Sequence, residues 1–195
     1  MTGPWPHPHR AFVEPLPERC EVLVAGGGLA GVGVALFLAE AGVDVLLVEA
    51  GDRLASGATG CSGGLLQVGT AEHPHRLIGA LGLARARDYV ALSRRSVALL
   101  RERAPVSEGG LRVGVRDEAR EIEQAVRASE QLGLPSELWS VEDVAALGCA
   151  GLGPARFVPE DGLFDPVTAV EALATQAVEA GARVRTGVAL QGVDE

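Results

Sequence analysis

Val22-Leu23-Val24-Ala25-Gly26-Gly27-Gly28-Leu29-Ala30-Gly31-Val32-Gly33-Val34-Ala35 joins an aliphatic run to a triple glycine and then to an apolar, small-residue run. Residues 22–24 read as a buried strand, residues 29–41 as a helix stopped by Gly42, and residues 43–48 as a second strand. That order is a βαβ unit. Its turn spells Gly26-x-Gly28-x-x-Gly31, and each glycine has a reason. Gly26 permits the tight turn, Gly28 lets a pyrophosphate touch the backbone, and Gly31 lets the helix lie close to the strand. Leu29 and Ala30 open the helix, where free N–H groups and about half a positive charge face the phosphates. Ala35, one turn on, serves the same close packing.

Glu49 stands at the end of the second strand, 21 residues past Gly28, where an acid accepts hydrogen bonds from a ribose diol. A 2′-phosphate would be repelled. At an effective dielectric near 20, two unit charges about 4 Å apart cost roughly 4 kcal/mol, which favours FAD or NAD over NADP. The turn alone leaves FAD and NAD both open.

The composition agrees with one solid core, or one and a fraction. Of 195 residues, 47% are apolar and 22% charged, and 26 glycines with 4% aromatics suit tight α/β packing. The net charge of -9 opposes a nucleic-acid partner. Cys20, Cys61 and Cys149 fit neither a disulfide framework nor a zinc site, which points to a reducing compartment, the cytoplasm. Residues 22–39 carry no charge, yet the glycines within them and the second apolar run after Asp44 fit the βαβ unit better than a signal peptide or a membrane span.

Working outward, residues 1–20 hold Pro4, Pro6, Pro8, Pro15 and Pro17 and read as an arm or tail. Residues 55–69 form a long Gly/Ser/Thr/Cys-rich loop of the kind that is functional or disordered. A helix is predicted over 83–103, with Tyr89, Leu92, Ser96, Leu99 and Leu100 near one face, then a strand over 111–115. Asp117 is read as the cap of a helix ending near Gly133, residues 137–139 as a short strand, and Ser140-x-x-Asp143 as the opening of a helix that Gly148 ends. Asp165-Pro166 starts a helix running to Gly181, and residues 183–193 alternate like strands.

The run Gly26-x-Gly28-x-x-Gly31-x-x-x-Ala35, then Glu49, then Gly57-Ala58-Thr59-Gly60-Cys61-Ser62-Gly63-Gly64-Leu65, resembles the D-amino acid oxidase-like group of FAD-dependent oxidoreductases, which includes glycine, sarcosine and other amine oxidases. The resemblance implies a Rossmann-like FAD-binding α/β domain carrying part of a substrate-domain insertion, in a chain that looks truncated. It implies domains over 21–76 (FAD-binding βαβ and flavin loop), 77–156 (helices and partial substrate segment) and 157–195 (return to the FAD domain). Thr59 matches the pyrophosphate-contacting position, with Ala58, Gly64 and Leu65 on the backbone that runs past the flavin. Residues 157–166 resemble the return, and Val188 falls where a backbone contact to adenine is expected. Ser62 departs from the commoner asparagine. Cys61 stands where some members carry a flavin-linked histidine, so FAD is expected without a covalent link.

What this implies is amine or amino-acid oxidation by hydride transfer to flavin, with a small-molecule substrate and either a complementary chain or a homo-oligomeric partner. The substrate-binding groups are expected beyond Glu195, so no catalytic residue is named, and residues 1–195 alone are expected to bind FAD poorly. Two alternatives stand beside it: a module that performs no turnover alone, and an NAD-binding domain. Other candidates read blandly. Cys61 is taken as a small packed loop residue, His73-Pro74-His75 and His7-Pro8-His9 as solvated loops rather than metal ligands, Asp165 as a helix cap rather than half of an acid pair with Asp161, and Arg94-Arg95, Arg101 and Arg103 as the wet side of a helix.

Overall fold

The computed structural model describes residues 5, 10–13, 15–115 and 118–193. Its elements run β1 (Val22–Ala25), α1 (Leu29–Glu40), β2 (Val45–Glu49), β3 (Leu65–Leu66), α2 (Pro74–Leu81), α3 (Leu83–Arg103), β4 (Gly110–Val113), α4 (Ala119–Gln131), β5 (Glu137–Trp139), α5 (Val141–Ala146), β6 (Ala155–Val158), β7 (Gly162–Leu163), α6 (Pro166–Glu179) and β8 (Arg183–Thr186). They form two compact units. One comprises the chain up to Gly64, Arg103–Pro105 and the chain from Asp165 onward; the other comprises Leu65–Glu102 and Val106–Phe164.

The first unit is a parallel sheet ordered β1-β2-β8, with Val22 beside Val45 and Leu46 beside Arg183. As the middle strand, β2 buries Val45, Leu46, Leu47 and Val48 in succession, the continuous apolar pattern of a strand covered on both faces. Each such burial is worth about 1.5–3 kcal/mol. Helix α1 packs through Val32, Ala35, Leu36 and Ala39 against α6, which offers Ala169, Val170, Leu173, Ala174 and Ala177. Small side chains on both let the axes approach. The βαβ unit read from the sequence is therefore present, and α6 is the second layer against α1.

Local chemistry explains the ends of these helices. Gly42, at φ +80, follows α1. Asp165 caps α6, its Oδ1 accepting the N–H groups of Val167 at 2.9 Å and Thr168 at 3.2 Å, with Pro166 in the first turn. The strand expected over 183–193 ends at Thr186, because Gly187 adopts φ +74 and the chain turns away. Along β8 lies part of the N-terminal arm. Phe12 is buried, its carbonyl accepts Thr186 N–H at 3.0 Å, and Arg10 stacks over its ring at 4.8 Å.

The second unit holds an antiparallel sheet ordered β4-β6-β5 and a two-stranded pair, β3-β7. Its core gathers Val68, Ala86, Val90, Val97, Leu132, Leu134 and Val158. Ser140 and Asp143 form the reciprocal capping box expected of them at the start of α5, and Gly148 follows it at φ +85. The fold class read from the sequence, α/β with a Rossmann-like half and a second segment, matches this architecture.

Several local expectations need correction here. Helix α3 has the expected bounds but packs through Ala86, Val90, Val97 and Leu100, while Tyr89 and Leu92 are exposed. Arg95 is exposed as expected, but Arg94 and Arg101 are only partly exposed and are tied down by hydrogen bonds. Arg94 Nε donates to Glu160 at 2.5 Å, and Arg101 Nη2 donates to the carbonyls of Glu160 and Asp161 at 3.0 and 2.9 Å. Arg103, within the first unit, pairs with Glu40 at 2.8 Å and lies over the Phe37 ring. His73 is buried, not solvated, because Pro74 begins α2, a helix absent from the sequence reading, and stacks its ring on His75 at 5.4 Å. The expected strand over 111–115 is β4 at Gly110–Val113. Asp117 and His7-Pro8-His9 lie outside the described residues.

Candidate functional site

The site is built where β1 gives way to α1. Gly26, at φ +112, has open space where a Cβ would stand, and its N–H donates to Val48 O at 2.8 Å. Gly28 is the N-cap of α1 and brings no side chain to the helix end. Gly31 cannot carry a side chain. A Cβ there would lie 1.9 Å from the Gly26 carbonyl oxygen, so the helix and its own entry turn touch through backbone.

Into this turn comes the loop after β2. Thr59 Oγ1 accepts Leu29 N–H at 3.2 Å and would stand 2.9 Å from a Cβ on Gly28. Ala58 is exposed beside Thr59, and Ala30 is exposed on the first turn of α1. A helix N-terminus whose N-cap glycine brings no capping side chain, with a hydroxyl beside it, is an anion seat.

Glu49, the last residue of β2, faces the same turn. Its Oε2 accepts Gly27 N–H at 2.6 Å, while Oε1 accepts Gly51 N–H at 2.7 Å and the Ser56 hydroxyl at 2.9 Å. Partial burial pushes this carboxyl upward, but the three hydrogen bonds outweigh it and hold Glu49 below the usual glutamate range. The result is a fixed, ionised acid. A carboxylate offers about four lone-pair positions, so room remains for one more donor.

Gly26, Gly28, Leu29, Ala30, Gly31, Glu49, Ala58 and Thr59 thus gather within the first unit. Val188 joins them through its N–H, which donates to the Glu49 carbonyl at 2.9 Å. Gly64, at φ +72, ends the loop, its N–H donating to Ser62 Oγ at 3.2 Å. Leu65 opens β3 in the other unit and is 72% exposed. Cys61 is exposed rather than packed, in a turn where the Cys61 and Ser62 N–H groups donate to the Ala58 and Thr59 carbonyls. Sequence reasoning missed Gly27, Gly51 and Ser56, the three donors to Glu49. No spacing rule marks them.

Asp161 belongs to the second unit, where it is buried and accepts Val68 N–H at 2.8 Å. Burial raises its carboxyl, opposed by that bond and by Arg156. Among the described residues no group of three or more His, Cys, Asp or Glu side chains is placed to hold a metal ion.

Residues 21–195 match the family model described as FAD dependent oxidoreductase. The chain is 32% identical over 173 residues to the anaerobic glycerol-3-phosphate dehydrogenase subunit A1 of Haloferax volcanii, covering 85% of this chain and 27% of that protein. Among solved structures, L-proline dehydrogenase from P. horikoshii superposes with a TM-score of 0.74 at 25% identity, covering 91% of this chain and 46% of that one. Glycine oxidase from Bacillus cereus gives 0.68 at 25% identity, over 91% and 48%. The chain therefore spans about a quarter of that curated relative and under half of each solved chain.

Proposed function

The chain belongs to the FAD-dependent oxidoreductase family, and we propose that it forms the adenosine-diphosphate-binding part of an enzyme that oxidises an amine or amino acid. The observation that carries the reading is Glu49, an acid fixed by three donors beside a helix start whose N-cap is a glycine. These residues fit the cofactor's charge and polarity. The pyrophosphate would take the N-terminus of α1, with the Gly28 backbone and the Thr59 hydroxyl beside it, and Glu49 would accept from the adenosine ribose. Val188 would offer its carbonyl to the adenine edge.

FAD bound there would supply a hydride acceptor for the carbon next to the substrate nitrogen. This chain's part would be to fix the adenosine end of the cofactor through the Gly28 backbone, the Thr59 hydroxyl and Glu49. With Cys61 in place of a linking histidine, the cofactor would be held without a covalent bond. No described helix is long and apolar enough to cross a membrane, and three free cysteines suit a cytoplasmic setting. Similarity to a glycine oxidase and an L-proline dehydrogenase supports the amine substrate class.

A second reading is a flavin-binding chain that turns over only within a larger assembly. It is favoured by similarity to a protein that is itself a subunit, of which this chain spans 27%.

The test is to isolate the protein from its native source in its intact assembly, record the absorbance spectrum, and identify the nucleotide released on heating. A yellow protein that releases FAD and is bleached anaerobically by an amine or amino acid is expected. Bleaching by glycerol 3-phosphate instead would replace the substrate class, and a colourless protein releasing NAD would remove the flavin reading.

A further inference from the structure

Among the described residues, Ala55 is the non-glycine residue with positive φ, at +54, a conformation that crowds its Cβ against the carbonyl. It is buried, and its N–H donates to Gly27 O at 2.9 Å. Its own carbonyl is pressed by Gly60, where a Cβ would lie 2.2 Å away. Leu54 closes the same surface, its Cδ2 standing 2.5 Å from where a Gly27 Cβ would be. The next residue, Ser56, then donates its hydroxyl to Glu49 Oε1 at 2.9 Å, while Gly27 N–H holds Oε2. Strain at Ala55 therefore coincides with a polar clamp on the acid and the turn together.

We propose that Ala55 and Ser56 are positioning residues: the twist at Ala55 ties the loop to the phosphate turn and aims Ser56 at Glu49, which fixes the rotamer in which the acid meets the ribose. The inference rests on the ribose-acid reading of Glu49. Without Ser56, the carboxylate keeps Gly27 N–H on Oε2 and Gly51 N–H on Oε1 but loses the side-chain donor that ties it to the loop, and its rotamer is held less tightly. Its ionised form also loses a donor, so it takes up a proton at higher pH.

The test uses the full 195-residue chain with ADP as the probe, its affinity measured by calorimetry, and follows the Gly27 and Gly51 amide resonances against pH as reporters of Glu49 ionisation. In Ser56→Ala, ADP binding should weaken about tenfold, the usual worth of a hydrogen bond to a charged group, and the amide midpoint should rise. Ser56→Thr should restore both. Glu49→Gln should weaken ADP by a similar factor and leave Ser56→Ala with little further effect in the double variant. Should Ser56→Ala fail to fold, Ser56→Cys, with a much weaker donor of similar size, should give the same loss. If Glu49→Gln weakens binding while Ser56→Ala changes neither affinity nor midpoint, the clamp is wrong and the ribose acid stands. If Glu49→Gln has no effect, or wild type binds no ADP, both are overturned.

Discussion

Gly28 and Thr59 meet at the start of α1: a Cβ on Gly28 would stand 2.9 Å from Thr59 Oγ1, the atom that also accepts Leu29 N–H at 3.2 Å. Little space remains there for any side chain. Gly28→Val should displace the Thr59 hydroxyl, block the phosphate seat and abolish ADP binding. Because a threonine side chain can turn aside, the fold should survive with a modest loss of stability. Circular dichroism and calorimetry on the same sample separate these effects, and undiminished ADP binding would remove the turn from the site.

Gly31 differs in kind. Its missing Cβ would lie 1.9 Å from backbone, the Gly26 carbonyl oxygen, and no rotamer change relieves that overlap. Gly31→Ala should therefore cost at least the 1–3 kcal/mol typical of overpacking, read as a lowered urea midpoint. A variant as stable as wild type would mean that α1 stands further from its turn than described.

Glu49→Ala should weaken the binding of the adenosine half of FAD by about 1.5–3 kcal/mol, the range for a hydrogen bond to a charged group. The isoalloxazine spectrum of flavin bound in the intact assembly should hardly move, since the acid serves the other end of the cofactor. Acid has a related effect. The folded carboxyl is depressed, so its contribution is fully present above the unfolded value near about 4.3 and is lost as pH falls through the lower folded value. Amide exchange at Gly27 and Gly51 should quicken over that acid window and be insensitive to pH above it, beyond the intrinsic rate. Acceleration already near neutrality would contradict the hydrogen-bonded acid.

His73 gives the second unit an opposite kind of burden. Burial, with Arg112 next, holds its imidazole below its ordinary value, only partly opposed by Glu121. The neutral ring is thus favoured in the folded state, and stability present above about pH 6.5 declines as pH falls toward the folded value. His73→Leu should flatten that decline in thermal melts between pH 7 and 5. If the wild-type melting point is level across this range, the ring is not buried in its neutral form.

The parts of this chain legible in its sequence are those governed by neighbours a few residues apart. The strand, glycine turn and helix at Val22 to Glu40, the Ser140–Asp143 box and the Asp165 cap each carry their partners within one or two turns of chain. Helix α2 was hidden because His73-Pro74-His75 resembles a loop when proline's place in a first helical turn is not weighed. The face of α3 differs from expectation for another reason. Tyr89 and Leu92 are exposed, whereas packing selects the smaller Ala86 and Val90 along with the expected Leu100.

At the site, the glycines and Glu49 could be read because their spacing follows from a cofactor's dimensions. The donors that fix Glu49 could not. Ser56 reaches the acid only because Ala55 takes a positive φ, and that conformation depends on tertiary contacts with Gly27 and Gly60 which no local pattern encodes. Phe12 was likewise invisible: its burial comes from Thr186, 174 residues away.

The central claim is that the turn from Gly26 to Gly31, with Glu49, holds the adenosine diphosphate of FAD. It is tested most directly by calorimetric titration of the chain with ADP, then with ADP carrying a 2′-phosphate, and by displacement of bound ADP with FAD. The expected result is that ADP binds, FAD displaces it only in large excess because this chain alone holds FAD weakly, and the 2′-phosphorylated ligand binds far more weakly because its charge meets ionised Glu49. Equal or tighter binding of the 2′-phosphorylated ligand, or ADP that even a large excess of FAD cannot displace, would contradict it.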